Sequence, residues 1–268
     1  MLVRAEHKFI FLCGLHRSGT SPLFRLLREH PQISGFANTG VEEDEGQHLQ
    51  TVFPPAIALG GPGRFGFARG AHLTEKSALI TLNNREKLFG EWATYWDLHR
   101  PYLLEKSPPN LIRTRFLQAM FPNSYFIVIT RHPVAVALAT RKWAPLNLSP
   151  LIDHWLYCHG LFEKDRRHVR NVLTVRYEEL IEATQDQLSQ ICRFLGLVPH
   201  KSQGLNSKGN EPYFAIWKAL RERKSSQRVF GRLAAAYEKR VQHYGYSLLD
   251  CDELRPVLKI SQPATLAR

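Results

Sequence analysis

The stretch that most constrains this chain runs from Phe9 to Leu27. Phe9 to Cys13 is a short unbroken apolar run, the pattern of a strand buried on both faces. Gly14 to Gly19 is a glycine-bounded turn. From Ser21 onward the apolar residues Leu23, Phe24, Leu26 and Leu27 follow a helical spacing. Pro22 falls in the first turn, where its missing N–H costs nothing. A strand, a tight loop and a helix in this order direct backbone N–H groups and a helix N-terminus at an anion.

The loop departs from the nucleotide P-loop in one respect. G-x-x-x-x-G-K-[ST] places a lysine after the second glycine. Here Gly19 is followed by Thr20 and Ser21, and the loop's cation is Arg17. The pattern therefore predicts a phosphate cradle without the lysine that grips a β/γ-phosphate. An ordinary glycine-containing turn between strand and helix is the plainer alternative.

A chain of 268 residues with 44% apolar content suits one large α/β domain. We expect a single domain over residues 1–250 and a C-terminal tail over 251–268. The formal net charge of +12 is compatible with nucleic acid, a membrane surface or an anionic small substrate. The basic residues are dispersed, with no polybasic block, arginine-rich helix or zinc module, so nucleic acid is not expected as a partner. No apolar run approaches a membrane span. The four cysteines, Cys13, Cys158, Cys192 and Cys251, are far apart in sequence and show no metal-ligand spacing. They read as reduced thiols, with no metal expected and a cytoplasmic location. The first apolar run leads straight into the glycine turn, so it reads as a strand and not as a secretory leader.

Further along, Ile33–Ala37, Tyr102–Lys106, Ser124–Thr130 and Val172–Arg176 are strand candidates. Helices are expected over 74–99, 111–120, 134–143, 151–170, 184–195, 212–224 and 227–244. Strands alternating with helices predict an α/β fold, with a P-loop-like central parallel β-sheet of about five strands flanked by helices. Glu42 to His48 is the one dense cluster of carboxylates in a basic chain. Residues 54–72 form a long Gly/Pro segment with Phe53, Phe65 and Phe67 about it, readable as a mobile lid or as a surface excursion. Trp92, Trp96, Trp143 and Trp155 are candidates for an acceptor pocket or for the core. Arg17, Lys106 and Arg131 each stand at a turn beside a predicted strand, which in a parallel sheet brings three cations to the carboxyl edge.

At these residues the chain resembles the sulfotransferases that use 3′-phosphoadenylyl sulfate (PAPS), of the bacterial, tyrosylprotein and carbohydrate branches. Arg17-Ser18-Gly19-Thr20-Ser21, running on to His30-Pro31, resembles the family's 5′-phosphosulfate loop. Ile127 to Pro133, with Arg131, resembles its 3′-phosphate signature. Leu104-Glu105-Lys106-Ser107-Pro108 is similar to the segment whose lysine faces the sulfuryl group. Val175 to Leu180 and Phe194 to Leu197 resemble a fourth. Four segments in the family's order, spanning residues 9 to 197, make the likeness specific.

The resemblance implies sulfuryl transfer from PAPS, without a metal, to a hydroxyl or amine of a small-molecule or carbohydrate acceptor. It implies donor contacts from Arg17, Ser18, Gly19, Thr20, Ser21 and Arg131. The serine expected eight positions after Arg131 is replaced by Ala139, which turns attention to Thr140. Lys208 and Gly209 loosely match a late ligand loop. Arg17 and Lys106 would neutralise charge on the transferring group. The base is sought in the acidic segment: Glu45 first, His48 second, Glu43 third. A metabolite kinase or a catalytically impaired nucleotide-binding relative are the competing readings.

Overall fold

The computed structural model describes residues 7–202, 204–205 and 209–256. The order of elements is β1 (Lys8–Cys13), α1 (Thr20–Arg28), β2 (Ile33–Gly35), α2 (Leu82–Ala93), β3 (Tyr102–Lys106), α3 (Thr114–Met120) and β4 (Ser124–Thr130). Then follow α4 (Pro133–Thr140), α5 (Leu148–Asp165), β5 (Val172–Arg176), α6 (Tyr177–Glu182), α7 (Thr184–Leu195), α8 (Glu211–Glu222) and α9 (Gln227–Gln242). The strands form one five-stranded sheet in the order β2-β3-β1-β4-β5. Every pairing is parallel, with Leu12 opposite Lys106 and Ile127. The expected α/β fold with a central parallel sheet is the fold observed.

The sheet is parallel because its strands are buried on both faces and joined through helices. Phe9, Ile10, Phe11, Leu12 and Cys13 in β1 are all buried. Phe9 and Phe11 join Trp92, Phe121 and Phe126 in an aromatic layer, with the Phe9 and Phe121 ring centres 4.4 Å apart. Trp92, Trp96 and Trp155 therefore belong to the core. Of the four tryptophans singled out in the sequence, Trp143 alone is exposed.

Three expectations change. The helix predicted over 74–99 is α2, confined to Leu82–Ala93. Thr81 caps it by accepting the Asn84 N–H at 3.1 Å. Beyond Ala93 the chain turns, because Trp96 Nε1 donates to the Leu104 carbonyl and the Asp97 N–H to Ser34 Oγ. The second strand stops at Gly35, where a Cβ would stand 2.8 Å from Arg28 Cγ, and Arg28 donates to the next carbonyl, that of Phe36. The helix predicted over 111–120 is a 3₁₀ turn, Pro108–Ile112, followed by α3.

The Gly/Pro segment is packed onto the fold and does not run out over the surface. Arg113, fully buried, donates to the carbonyls of Ala71 and Pro54 at 3.2 and 3.1 Å and so ties the segment near both ends. The Gly66 N–H donates to His154 Nε2 at 3.1 Å, and a Cβ on Gly66 would stand 2.4 Å from Cys158 Sγ. The glycines thus allow the segment to lie directly on α5. No helix among the described residues is long and apolar enough to cross a membrane.

Candidate active site

The carboxyl ends of β1, β3 and β4 converge, and the loops that leave them enclose a cavity of about 380 Å³. Its floor is the loop after β1. Gly14 is needed there because a Cβ would meet Ile129 Cγ2 at 2.7 Å. Gly19, at φ 95°, caps α1 with its backbone, and a Cβ on it would stand 2.3 Å from the Tyr177 ring. The first backbone bond of the helix is the Leu23 N–H to the Gly19 carbonyl at 3.3 Å. The N–H groups of Gly19, Thr20 and Ser21 are among the donors that a helix start leaves open. Ser18 Oγ is buried without a partner among the described residues, an orphan donor that native interiors rarely leave.

Two arginines flank this floor. Arg17, at φ 67°, lays its guanidinium 4.6 Å from the centre of the Trp143 ring. Arg131 lies with its guanidinium 4.1 Å from the Tyr177 ring centre. Its Nε donates to Asn210 Oδ1 at 2.7 Å, one terminal nitrogen to the Arg17 carbonyl and the other to the Gly209 carbonyl, both at 2.9 Å. Burial pulls its basicity down from the usual arginine range. Neither arginine forms an ion pair with a carboxylate among the described residues. Glu178 is held one step away, because Asn210 Nδ2 donates to it while Asn210 Oδ1 accepts from Arg131. The charge of Arg131 is thus oriented without being neutralised.

Opposite stands a buried pair. Lys106, wholly out of solvent, donates to Glu45 Oε1 at 3.1 Å, the Glu43 carbonyl at 2.8 Å and, more distantly, Ser21 Oγ at 3.4 Å. Glu45 also accepts from Gln47 Nε2. Burial raises the Glu45 carboxyl above its ordinary value, while the Lys106 charge and the Gln47 bond oppose the rise. The turn carrying Glu45 rests on Glu105: the Gln47 N–H donates to Ser107 Oγ at 2.9 Å, and Ser107 donates to Glu105 Oε1. Trp92 Nε1 holds the Gly46 carbonyl at 2.9 Å. Burial pushes Glu105 itself up to about 7, against the hydrogen bonds from Ser107 and Asn110.

The structure brings Arg17, Gly19, Thr20, Ser21, Arg131, Glu43, Glu45 and His48 to one cavity. Ser18 lies buried in its floor, Lys106 reaches Glu45 from behind, and Gly209 meets Arg131 through its carbonyl. Thr140 is not brought there. It is buried and lines a separate small space with Leu15, Gly63 and His154. Lys208 lies outside the described residues. Ala56, Ile57 and Pro62 of the Gly/Pro segment form one wall. Sequence reasoning did not single out Gln47 or Asn210. Both lay inside polar stretches it had marked, but their partners sit 60 and 79 residues away in the chain.

A protein-family model described as "Sulfotransferase family" matches residues 10–200. No curated protein matches the chain. Among solved structures, the sulfotransferase domain of the Synechococcus PCC 7002 olefin synthase is 19% identical, with a TM-score of 0.46 over 78% of this chain and 84% of that one. A sulfotransferase from Alicyclobacillus acidocaldarius is 18% identical, with a TM-score of 0.45 over 86% of this chain and 95% of that one. Mouse sulfotransferase SULT7A1, complexed with PAP, is 16% identical, with a TM-score of 0.38 over 81% of this chain and 66% of that one.

Proposed function

We propose, from the premise that this chain belongs to the sulfotransferase family and is a sulfotransferase, that its cavity takes PAPS as donor and that Glu45 is the base. One observation carries the reading. Two arginines without carboxylate partners among the described residues flank an open helix start, and Glu45, held from behind by the buried Lys106, lines the same cavity. The orphaned Ser18 hydroxyl and the open N–H groups after it suit a bound phosphosulfate. Arg131 suits the second anionic group of the donor, the 3′-phosphate.

PAPS supplies an activated sulfuryl group whose S–O bond to the phosphate breaks, leaving the electron pair on the departing nucleotide. The protein's part is to hold, neutralise and deprotonate. The loop from Arg17 to Ser21 and Arg131 fix the donor's two ends. Arg17 and Lys106 offset negative charge on the sulfuryl oxygens. Glu45, ionised beside Lys106, accepts the proton of the acceptor hydroxyl or amine as the new S–O or S–N bond forms. His48 and Glu43 line the same wall, but neither contacts Lys106 through its side chain among the described residues. Thr140, buried elsewhere, has no part in this reading; Arg131 is oriented by the Asn210 amide and the Gly209 carbonyl.

Thermal unfolding of the full chain with 3′-phosphoadenosine 5′-phosphate, compared with ATP–Mg²⁺, tests the donor. Stabilisation by the former alone is expected, to be lost in Arg17→Ala and Arg131→Ala. Stabilisation by ATP–Mg²⁺ alone overturns the assignment in favour of a kinase. With an acceptor found by screening with radiolabelled PAPS, Glu45→Gln should keep nucleotide binding and lower kcat by about 10²-fold or more. Unchanged turnover in that variant removes Glu45 as base.

A further inference from the structure

The amino edge of the sheet, opposite the cavity, holds a second cluster. We propose that His30, Cys192 and His200 form a binding site for a thiophilic divalent ion of the Zn²⁺ type, which clips the end of α1 to the end of α7. His30 follows α1 and precedes β2, Cys192 lies in the last turn of α7, and His200 follows that helix. Their ligand atoms all lie within 4.8 Å of one another. Tyr102, which begins β3, donates its hydroxyl to the Leu195 carbonyl at the same edge. α1 has nine residues, so a length of roughly 14 Å separates the cluster from the cavity loop.

The observation that points to an ion is His200. Both of its ring nitrogens are shielded from solvent, and neither has a hydrogen-bond partner. A neutral imidazole carries one donor and one acceptor, and either group left buried and unpaired is destabilising. His7, His16 and His159 each leave only one nitrogen so placed. His132 satisfies both, through Val134 N–H and the Ser247 carbonyl. The groups beside His200 are a thiol and a second imidazole, its ring centre 5.1 Å from that of His30. A sulfur and two imidazoles are the donor set of borderline-soft cations.

The other two ligands are prepared to different degrees. Cys192 is almost wholly buried, and burial raises its thiol, with the His200 backbone pulling the other way. Binding therefore forms a metal–sulfur bond and releases the thiol proton to solvent, so affinity rises with pH. His30 Nε2 contacts the Val198 carbonyl at 3.1 Å, and Nδ1 accepts the Gln32 N–H at 3.1 Å. A carbonyl bond of this kind orients a ligating imidazole. His30 must give up one of its two bonds to ligate, so it contributes least. Metal–ligand bonds of about 2.0–2.3 Å ask the three atoms to draw together, which rotation of the Cys192 and His200 side chains provides. Three protein ligands leave a fourth position for water.

The test is titration of the metal-stripped full chain with Co²⁺, read by its thiolate charge-transfer band in the near ultraviolet, followed by Zn²⁺ displacement. A band is expected in the parent chain and in Cys158→Ser. Cys192→Ser should abolish it, and His200→Ala should lower Co²⁺ affinity by at least about tenfold. Zn²⁺ should raise Tm in the parent chain and not in either variant. Absence of the band, its persistence in Cys192→Ser, or an equal Zn²⁺ shift in His200→Ala overturns the site. Should Cys192→Ser fail to fold, the comparison rests on His200→Ala and His200→Gln, at a residue that is not fully buried.

Discussion

Glu105 shows what a fully buried carboxyl costs and when. Its ordinary value is 4.5, and in the fold it keeps its proton up to about 7. The unfolded chain sheds that proton first as pH rises, so between these values the native state binds more protons. Stability from this group is therefore lost as pH climbs through that window, by about 3 kcal/mol in all. Glu105→Gln removes the titration. In urea unfolding at pH 4.5 and pH 8, the stability of the parent relative to this variant should fall by about that amount, and a constant difference would contradict the protonation state inferred. Glu105 was quoted in the sequence only as a companion to Lys106. Adjacent strand residues point to opposite faces, so the sequence could not show that Glu105 supports, through Ser107, the very turn whose carboxylate Lys106 holds. Arg17, Arg131 and Lys106 were legible because each stands at a strand end beside a turn. Asn210 was not, since its role exists only once α8 docks against α4 and brings it to Arg131.

At the scale of elements, the turn Glu45–Gln47 is held from three directions. Trp92 takes the Gly46 carbonyl, Ser107 takes the Gln47 N–H, and the Glu105 side chain lies where a Gly46 Cβ would be, 2.5 Å from its Cγ. Gly46→Ala must push the turn away from the sheet. We expect about 1–3 kcal/mol of destabilisation and a loss of about 10²-fold in kcat from the misplaced carboxylate, with nucleotide binding retained. Calorimetry beside kinetics separates the two effects; an unaltered kcat would mean that the turn does not position the reacting group. The strands were legible because β-branched and aromatic runs between turns leave little choice. The helix over 74–99 was over-read because Trp92, Tyr95 and Trp96 keep helical spacing, while tertiary bonds from Trp96 and Asp97 end α2 earlier. The Gly/Pro segment looked loose because its anchor, Arg113, lies 41 residues beyond its end at 72 and nothing local announces it.

Across the whole molecule, a net charge of +12 surrounds a cavity whose arginines are not neutralised from within. Attraction of a multiply charged donor should be long-ranged and screened by salt. Raising ionic strength from low to about 0.5 M is expected to lower kcat/KM for the donor several-fold, mainly through KM. Insensitivity to salt would assign binding to short contacts alone. The position of the cavity at the carboxyl edge followed from the alternation of strands and helices. What encloses it did not, because its wall comes from a segment of short 3₁₀ turns and loops that carries no long hydrophobic period. The Lys106 contacts also carry an order in time. Its N–H groups are turned to Glu45, the Glu43 carbonyl and, more distantly, Ser21. A sulfuryl oxygen can reach this ammonium only by drawing an N–H away from one of them, and drawing it from Glu45 frees the carboxylate to take a proton. With Glu45 as the proposed base, arrival of the donor would arm it, and an acceptor that comes first would find it still engaged. Product-inhibition kinetics should show the sulfated product non-competitive toward both donor and acceptor, as a compulsory sequence requires; competition of that product with the acceptor would indicate that either substrate can lead.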